Sequence, residues 1–560
     1  MPTIIVLFND LQRLVGAQLP RNIDDLNEIF FFVKGEVESI DGDELSIEIK
    51  DGNRPDLWTV EGLARELRGA LGIENGLKEY AVENYSGVEI LVDSRLKDIR
   101  PYIACSIITN VQLNSESVRE LMHLQDKLDL TYGRKRTRTS IGLYNYDLIT
   151  PPIRYSVAKP LEISFVPLGG VKELSLKEII NTHPKGLEYG RILREKKHWP
   201  ILLDAKNKIL SFPPIINSND LGRITEGVKD IFVEVTGMGY QTVLNTLMIV
   251  TLSLADRGEK ILSTKIHYPY DDITNDETPK LKTSNMLLNV SYVNQILGLN
   301  LNIQSIIDLL KKSRYDAYQT DRDTITLTIP CYRIDVMHPI DLVEDIAIKY
   351  GYNNIEPQWP QLNTFGSLSN LNVESNLARD IMVGLGFQEV LTFSMSNKSN
   401  LFKKMNLEDR NVVEISNPMT LNYNCLRNWL IPSLMEFLSK NSSVEYPQRI
   451  FELDKCYFID KNKSTGVRER TTLACLCIHS KANFSEMKTI LEAFFLNMGK
   501  MCKLKEDIFD CFINGRAGAI LVDNVNVGFI GEIHPKVLEA WKLENPVIGF
   551  EIDLDKIFGK

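Results

Sequence analysis

Five runs near the carboxy end do most to restrict what this chain can fold into: "VVEISNPM" from residue 412, "RIFELDKCYFI" from 449, "TTLACLCIHS" from 471, "AGAILVDNVNVGFIGEIH" from 517 and "VIGFEIDL" from 547. They are rich in β-branched and aromatic residues and are separated by helical stretches or short turns. Most can pair antiparallel. The region 357–560 therefore reads as one sheet with helices against it, within an α+β multidomain protein.

A length of 560 residues predicts three to five domains. Hydrophobic residues at 44% and charged residues at 25% are ordinary for a globular protein with a large core. A net charge of −10 argues against a surface that grips nucleic acid everywhere, though it leaves room for a basic patch. The eight cysteines show no CxxC pair, so a structural zinc site is not expected. Cys475 and Cys477 lie in a strand-like run and read as core thiols. There is no signal peptide. Apolar runs such as "LMIVTLSLA" are too short to cross a bilayer. These features predict a soluble, cytoplasmic protein.

Upstream, three further regions are expected. Residues 1–90 mix short strands with a helix in "DGNRPDLWTVEGLARELRGALG", whose stripe of Val60, Leu63, Ala64, Leu67 and Leu71 follows Asp56 or Thr59 as a cap. Residues 91–275 hold a helix near 115–130, a basic stretch "YGRKRTRTSIG" and several strands. In "KDIFVEVTG" the alternation is strict: Ile231, Val233 and Val235 face one way, and Phe232, Glu234 and Thr236 the other. Residues 276–356 read as a small, mainly helical unit with one strand pair around "DTITLTIP", in a winged-helix-like arrangement. No internal repeat or low-complexity segment appears.

The segment "RIDVMHPIDLVEDIAIKYGYNNIEP" concentrates Asp335, Asp341, Glu344 and Asp345. The last three fall at i, i+3 and i+4, on one side of a helix turn. Asp341 and Glu344 fit a capping box, and acidic groups suit a helix N-terminus. A hard cation such as Mg²⁺, held partly through water, is the other account of such a cluster.

In its wider context that segment resembles the signature of the beta subunit of phenylalanyl-tRNA synthetases. "NRPDLWTVEGLARELRG" resembles the family's N-terminal module, and "SFPPIINSNDLGRIT" with "DIFVEVTG" resembles its editing domain. "LTFSMSN", "ISNPMTLNYNCLRNWLIPSLM" and "RIFELDKCYF" resemble its C-terminal synthetase-like domain. The matches run in order over nearly the whole chain, and the length resembles the archaeal and eukaryotic cytosolic branch. The resemblance implies a B3/B4-like α/β editing domain over 91–275, a B5 module over 276–356 and a class II synthetase-like domain over 357–560. It also implies Asp335, Asp341, Glu344 and Asp345 as Mg²⁺ ligands, and an (αβ)₂ heterotetramer with an alpha subunit that charges tRNA(Phe).

The C-terminal region lacks part of the chemistry that ATP activation needs. Gly528 and Gly531 lie in "GFIGEIHPKVLEAW", yet no arginine follows; Glu532 and His534 stand there instead. Arg427 and Arg449 read as packing or interface groups. ATP is thus expected on the alpha subunit, with this domain catalytically inactive. The editing resemblance implies a pocket of Glu234, Thr236, Ser211, Asn217 and Leu202. Glu234 would accept the phenolic proton of tyrosine, Ser211 and Thr236 would position water, Asn217 would bond the ligand and Leu202 would wall the ring. The basic residues Arg134, Lys135, Arg136 and Arg138 are candidates for tRNA or partner contact, or a solvated loop. The seven histidines show no HxxxH or triad pattern and read as structural. The competing account is a non-enzymatic assembly or nucleic-acid-binding protein that retains these folds as scaffolds.

Overall fold

The computed structural model describes residues 2–270 and 273–559, and the chain divides into two compact units, 1–359 and 360–560. In the first unit, strands 3–7, 44–49 and 35–41 form a small antiparallel sheet in that order. The helix Val60–Ala70 follows, and Thr59 caps it: Gly62 N–H donates to the Thr59 hydroxyl at 2.9 Å.

A ten-stranded sheet fills the middle of this unit. Its order is 216–217, 209–212, 199–203, 153–158, 82–92, 260–270, 102–109, 231–237 and 139–145, with 273–278 paired to 260–270. Strands 82–92 and 273–278 run across positions 90 and 275, where the sequence suggested domain ends. The core is likewise continuous: Trp58 and Leu63 join Leu247 and Val233 in one cluster. Strand 231–237 lies between 102–109 and 139–145 and is buried along its whole length. Tyr240–Ala255 is apolar nearly all round and buried from Val243 to Leu254 except at Asn245, as expected of a helix pressed onto a sheet. Ser115–Leu130 begins with a capping box between Asn114 and Ser117.

Residues 284–359 contain one more strand than the periodicity predicts. Strands 284–289, 324–329 and 316–321 form an antiparallel sheet beside helices 290–297, 303–312 and 339–350. The extra strand, "SNMLLN", buries only Leu288, so its alternation is weak.

In the second unit the order is 388–389, 448–459, 467–478, 547–553, 525–533, 512–522 and 502–506; every pairing is antiparallel except the first. The run at 412–419 is not a strand: only Glu414 forms a bridge, to Cys425. Cys475 and Cys477 lie fully buried in strand 467–478. No described helix is long and apolar enough to cross a membrane.

Candidate functional site

A cavity of about 330 Å³ opens where strands 231–237, 139–145 and 209–212 meet the 213–215 turn, strand 216–217 and the start of helix 184–189. Glu234 lines it from strand 231–237, next to the edge strand 139–145. Its register partner on the adjacent strand is Gly142, and Tyr144 stands opposite Phe232 on the same face. The Tyr144 ring leans diagonally over Gly142, and its hydroxyl donates to Glu234 Oε2 at 2.7 Å. A Cβ at position 142 would sit 2.1 Å from Glu234 Oε2 and 2.3 Å from the Tyr144 hydroxyl, so only glycine leaves room for this pair. Tyr144 makes the one hydrogen bond of good geometry to Glu234 among the described residues, on Oε2, and the Thr236 hydroxyl, two positions along the same face, stands near the carboxylate.

Burial pushes the Glu234 carboxyl up to about 7, against the opposing pull of the Tyr144 hydrogen bond and the nearby Arg100 charge. Arg100 is itself buried, at 1% exposure. Its guanidinium donates to the Thr236 hydroxyl (2.9 Å), the Thr236 carbonyl (2.7 Å), Ser140 Oγ (3.1 Å) and the Arg136 carbonyl (3.1 Å). A cation is thus fixed behind the site without pairing directly with Glu234.

Of the five residues expected in this pocket, Ser211, Asn217 and Glu234 line it together. Ser211 Oγ is buried beside the Tyr144 hydroxyl, and no hydrogen bond of good geometry from a described residue satisfies it. Asn217 Oδ1 lies 3.4 Å from the Tyr144 hydroxyl. Leu202 does not wall the cavity. It shares a sheet face with its register partner Ser211, but it is fully buried in the core that also holds Tyr144, Tyr155 and Phe232 and does not reach the opening. Thr236 does not line the cavity either: its hydroxyl accepts from Arg100, lies 3.2 Å from Ser140 Oγ and stands near the Glu234 carboxylate from behind.

The basic run also separates. Arg134, Lys135 and Arg138 are exposed, but Arg136 is buried and unavailable to an RNA. Residues 134–136 all adopt positive φ (48°, 53° and 63°), a turn that costs non-glycine residues conformational energy and swings Arg136 inward. Arg136 pairs with Asp129 at 2.8 Å, lies 4.4 Å over the Tyr189 ring, and donates to the Ile215 carbonyl at 2.9 Å. It fastens the 213–217 wall of the cavity.

The acidic segment forms a second cluster. The helix starts at Pro339 with His338 as N-cap, so Asp341 is the third helical residue and not the cap itself. Its carboxylate accepts the backbone N–H groups of Met337 and His338, each at 2.8 Å. Asp335 and Asp345 are gripped by Arg333, whose guanidinium donates to Asp335 at 2.9 and 2.7 Å and to Asp345 at 2.6 Å. Tyr315 donates to Asp345 at 2.5 Å, and Lys34 lies 3.6 Å from Asp345 and 3.5 Å from the half-exposed Glu344. Arg54 stands 3.8 Å from Asp335 and pairs with Asp56 and Glu66. Burial raises the Asp345 carboxyl and the surrounding cations more than reverse that, holding it well below its usual range. The four carboxylates therefore do not converge on one point, and two arginines and a lysine already supply the countercharge. This arrangement does not fit a shared Mg²⁺.

In the second unit, Cys477, His479 and Glu486 bring three potential ligand atoms within 4.8 Å. Arg449 pairs with Glu486 at 3.0 Å, so a cation there would face a guanidinium.

Tyr144, Gly142, Arg100 and the inward Arg136 escaped the sequence reading. The one available signal was a glycine and a tyrosine two residues apart in a strand, "IGLYN". Nothing in that run shows which strand it pairs with.

Comparison with known proteins fits this geometry. Residues 355–554 match the phenylalanyl tRNA synthetase beta chain CLM domain, and residues 286–352 match the tRNA synthetase B5 domain. A phenylalanine–tRNA ligase beta subunit of Thermococcus sibiricus is 40% identical over 99% of this chain and 98% of its own length. That of Archaeoglobus fulgidus is 37% identical over 100% of this chain and 99% of its own. The crystal structure of an N-terminal fragment of the phenylalanyl-tRNA synthetase beta subunit from Pyrococcus horikoshii is 38% identical, with a TM-score of 0.60, and covers 63% of this chain and 100% of the fragment. With full-length relatives at this level of identity, the chain belongs to the phenylalanine–tRNA ligase beta-subunit family.

Proposed function

We propose that this chain forms an (αβ)₂ complex with an alpha subunit that charges tRNA(Phe), using ATP and Mg²⁺, and that its own cavity hydrolyses tyrosine wrongly attached to that tRNA. Within the chain we assign an N-terminal module over 1–90, a B3/B4-like editing region over 91–275, a B5 module over 276–356 and a class II-like domain over 357–560, with strands 82–92 and 273–278 joining the first three across their borders.

The carrying observation is the Glu234 carboxylate, buried in the cavity with its one hydrogen bond of good geometry on Oε2. An apolar pocket rejects an analogue that adds one hydroxyl only by ~10², so charging alone passes some tyrosine. A second site that demands the hydroxyl discriminates by ~10⁴–10⁵, because phenylalanine would leave its buried polar group unpaired. The reaction is ester hydrolysis. Water adds to the aminoacyl carbonyl, the bond to the ribose oxygen breaks, and that oxygen leaves with a proton. Ser211 Oγ and Asn217 offer hydrogen bonds within the cavity for orienting water or ester. Neither has a histidine or lysine as a hydrogen-bond partner among the described residues, which favours attack by positioned water over an acyl-serine intermediate.

The second unit supports the inactive assignment. The space over Gly531 is filled by the Phe512 ring, whose atoms lie 2.4–2.8 Å from where a Cβ would stand, and Phe509 and Phe529 pack beside it. Arg427 is fully buried against Glu452 (2.9 Å) and Asp454 (2.6 Å), so its fork is not free for a phosphate. Around strands 395–396 and 425–426, Leu391, Phe393, Met419 and Leu421 are largely exposed, an apolar face suited to an obligate partner chain.

The test is to incubate the purified chain, with and without its alpha partner, with tRNA(Phe) carrying tyrosine. Tyrosine release by the complex that is abolished in Glu234→Ala is expected. Equal release by wild type and variant would refute the assignment.

A further inference from the structure

The hydrogen-bond partner of the cavity's Glu234 is another side chain of the protein, Tyr144, which stands behind the lining. Tyr144 is fully buried, and its hydroxyl reaches Glu234 Oε2 at 2.7 Å while Asn217 Oδ1 lies farther off at 3.4 Å. A phenol has one proton to give, and the shorter contact takes it. A carboxylate offers about four acceptor positions on two oxygens. Held on one oxygen by Tyr144, with the ring seated over Gly142 and tilted against Phe232 at 5.9 Å between centroids, the group cannot rotate without breaking that bond. The other oxygen then has a fixed direction.

We propose that Tyr144 is a positioning residue for this cavity: by occupying Glu234 Oε2 it aims Oε1 as the acceptor for the para-hydroxyl of an incoming tyrosyl ester. This rests on the editing function proposed above. Two phenols thus share one carboxylate, one built into the protein and one brought by the substrate. Phenylalanine leaves Oε1 buried without that partner. A freely rotating glutamate would instead swing to its best local partner and would select the hydroxyl less sharply. Gly142 is part of the same device, because any side chain there displaces either the tyrosine or the carboxylate.

The test uses the assembled complex and tRNA(Phe) charged with tyrosine or with phenylalanine. In Tyr144→Phe, which removes one oxygen and keeps the ring, kcat/KM for the tyrosyl ester is expected to fall about ten- to hundredfold, mainly through KM. The phenylalanyl ester is not expected to change, so the tyrosine preference shrinks by the same factor. Gly142→Ala, which retains the phenol but crowds it, is expected to lower the preference as well. A general loss of folding would depress both esters together, and the ratio is insensitive to it. If the wild type releases tyrosine, Glu234→Ala does not, and Tyr144→Phe keeps the full preference, this proposal is overturned while the editing assignment stands. If the wild type releases no tyrosine, both fall.

Discussion

At residue 234 a carboxylate is removed from water without a direct ion pair, and the consequence is a group whose charge is poised near neutrality. Its pKa of about 7 lies above the unfolded value of 4.5. Between those values the folded chain binds the proton more tightly, so the stabilising contribution is fully present below pH 4.5 and is lost as pH rises through 7. Glu234→Gln abolishes that dependence. Relative to wild type, the variant should gain up to about 3 kcal/mol of stability between pH 4 and pH 8, read by urea unfolding at each pH. A pH-independent difference would contradict this burial. The same titration should appear in selectivity. The groups facing Glu234 are Tyr144, Arg100 and Asp129, with Cys105 and Tyr155 close by. Asp129 is pushed up to about 6 by burial, and Tyr144 is raised far above 10 and remains a donor. Tyrosine preference in deacylation should therefore rise with pH across about 7, as Glu234 gains the charge that strengthens its grip on a phenol. Gly142→Ala should also destabilise the chain by about 1–3 kcal/mol through overpacking, measurable as a lower melting temperature.

Among elements, what could be read from sequence were those that carry their own periodicity or cap. The helix after Thr59, the helix at 115–130 and the alternation of 231–237 follow from spacing alone. The strand at 284–289 was missed because a single buried leucine gives no alternation to detect, and 412–419 misled because its pairing stops at one bridge, Glu414 to Cys425, flanked by backbone bonds from Leu426 to Val413 and from Ile415 to Asn424. Glu234 was legible as a carboxylate among apolar neighbours, whereas Tyr144 and Arg100, 90 and 134 positions earlier, were not. Their contact with the 231–237 strand depends on strand register, a non-local property. The buried Arg136 shows the same limit: a basic run looks solvated until three positive-φ residues turn one member inward. Arg136→Ala should loosen the 213–217 wall and lower deacylation several-fold, with Arg134→Ala as a surface control that leaves cavity geometry intact.

Across the first unit, buried charges join segments far apart in sequence. Arg333, Arg54 and Lys34 hold Asp335, Asp345 and Glu66, and Lys349 meets Glu66 at 2.7 Å, linking residues 34–66 to 315–349. Removing one partner of such a network leaves an unpaired charge inside, so Arg333→Ala should cost about 3–5 kcal/mol of stability. If these carboxylates answer to arginine, chelation with EDTA should leave the melting temperature of the purified chain unchanged. A drop restored by Mg²⁺ would mean that the segment rearranges around a metal. The resemblance to the family pointed to four ligands here; the fold shows how the same acidic pattern is neutralised when a guanidinium arrives from two residues before Asp335. The whole account turns on a cavity that prefers an aromatic ring bearing a hydroxyl. The most direct measurement is the ratio of kcat/KM for tyrosyl- and phenylalanyl-tRNA(Phe) hydrolysis by the wild-type complex at pH 8. A ratio of at least ~10⁴ is predicted for a site that must satisfy a buried carboxylate, and a ratio near one would contradict it.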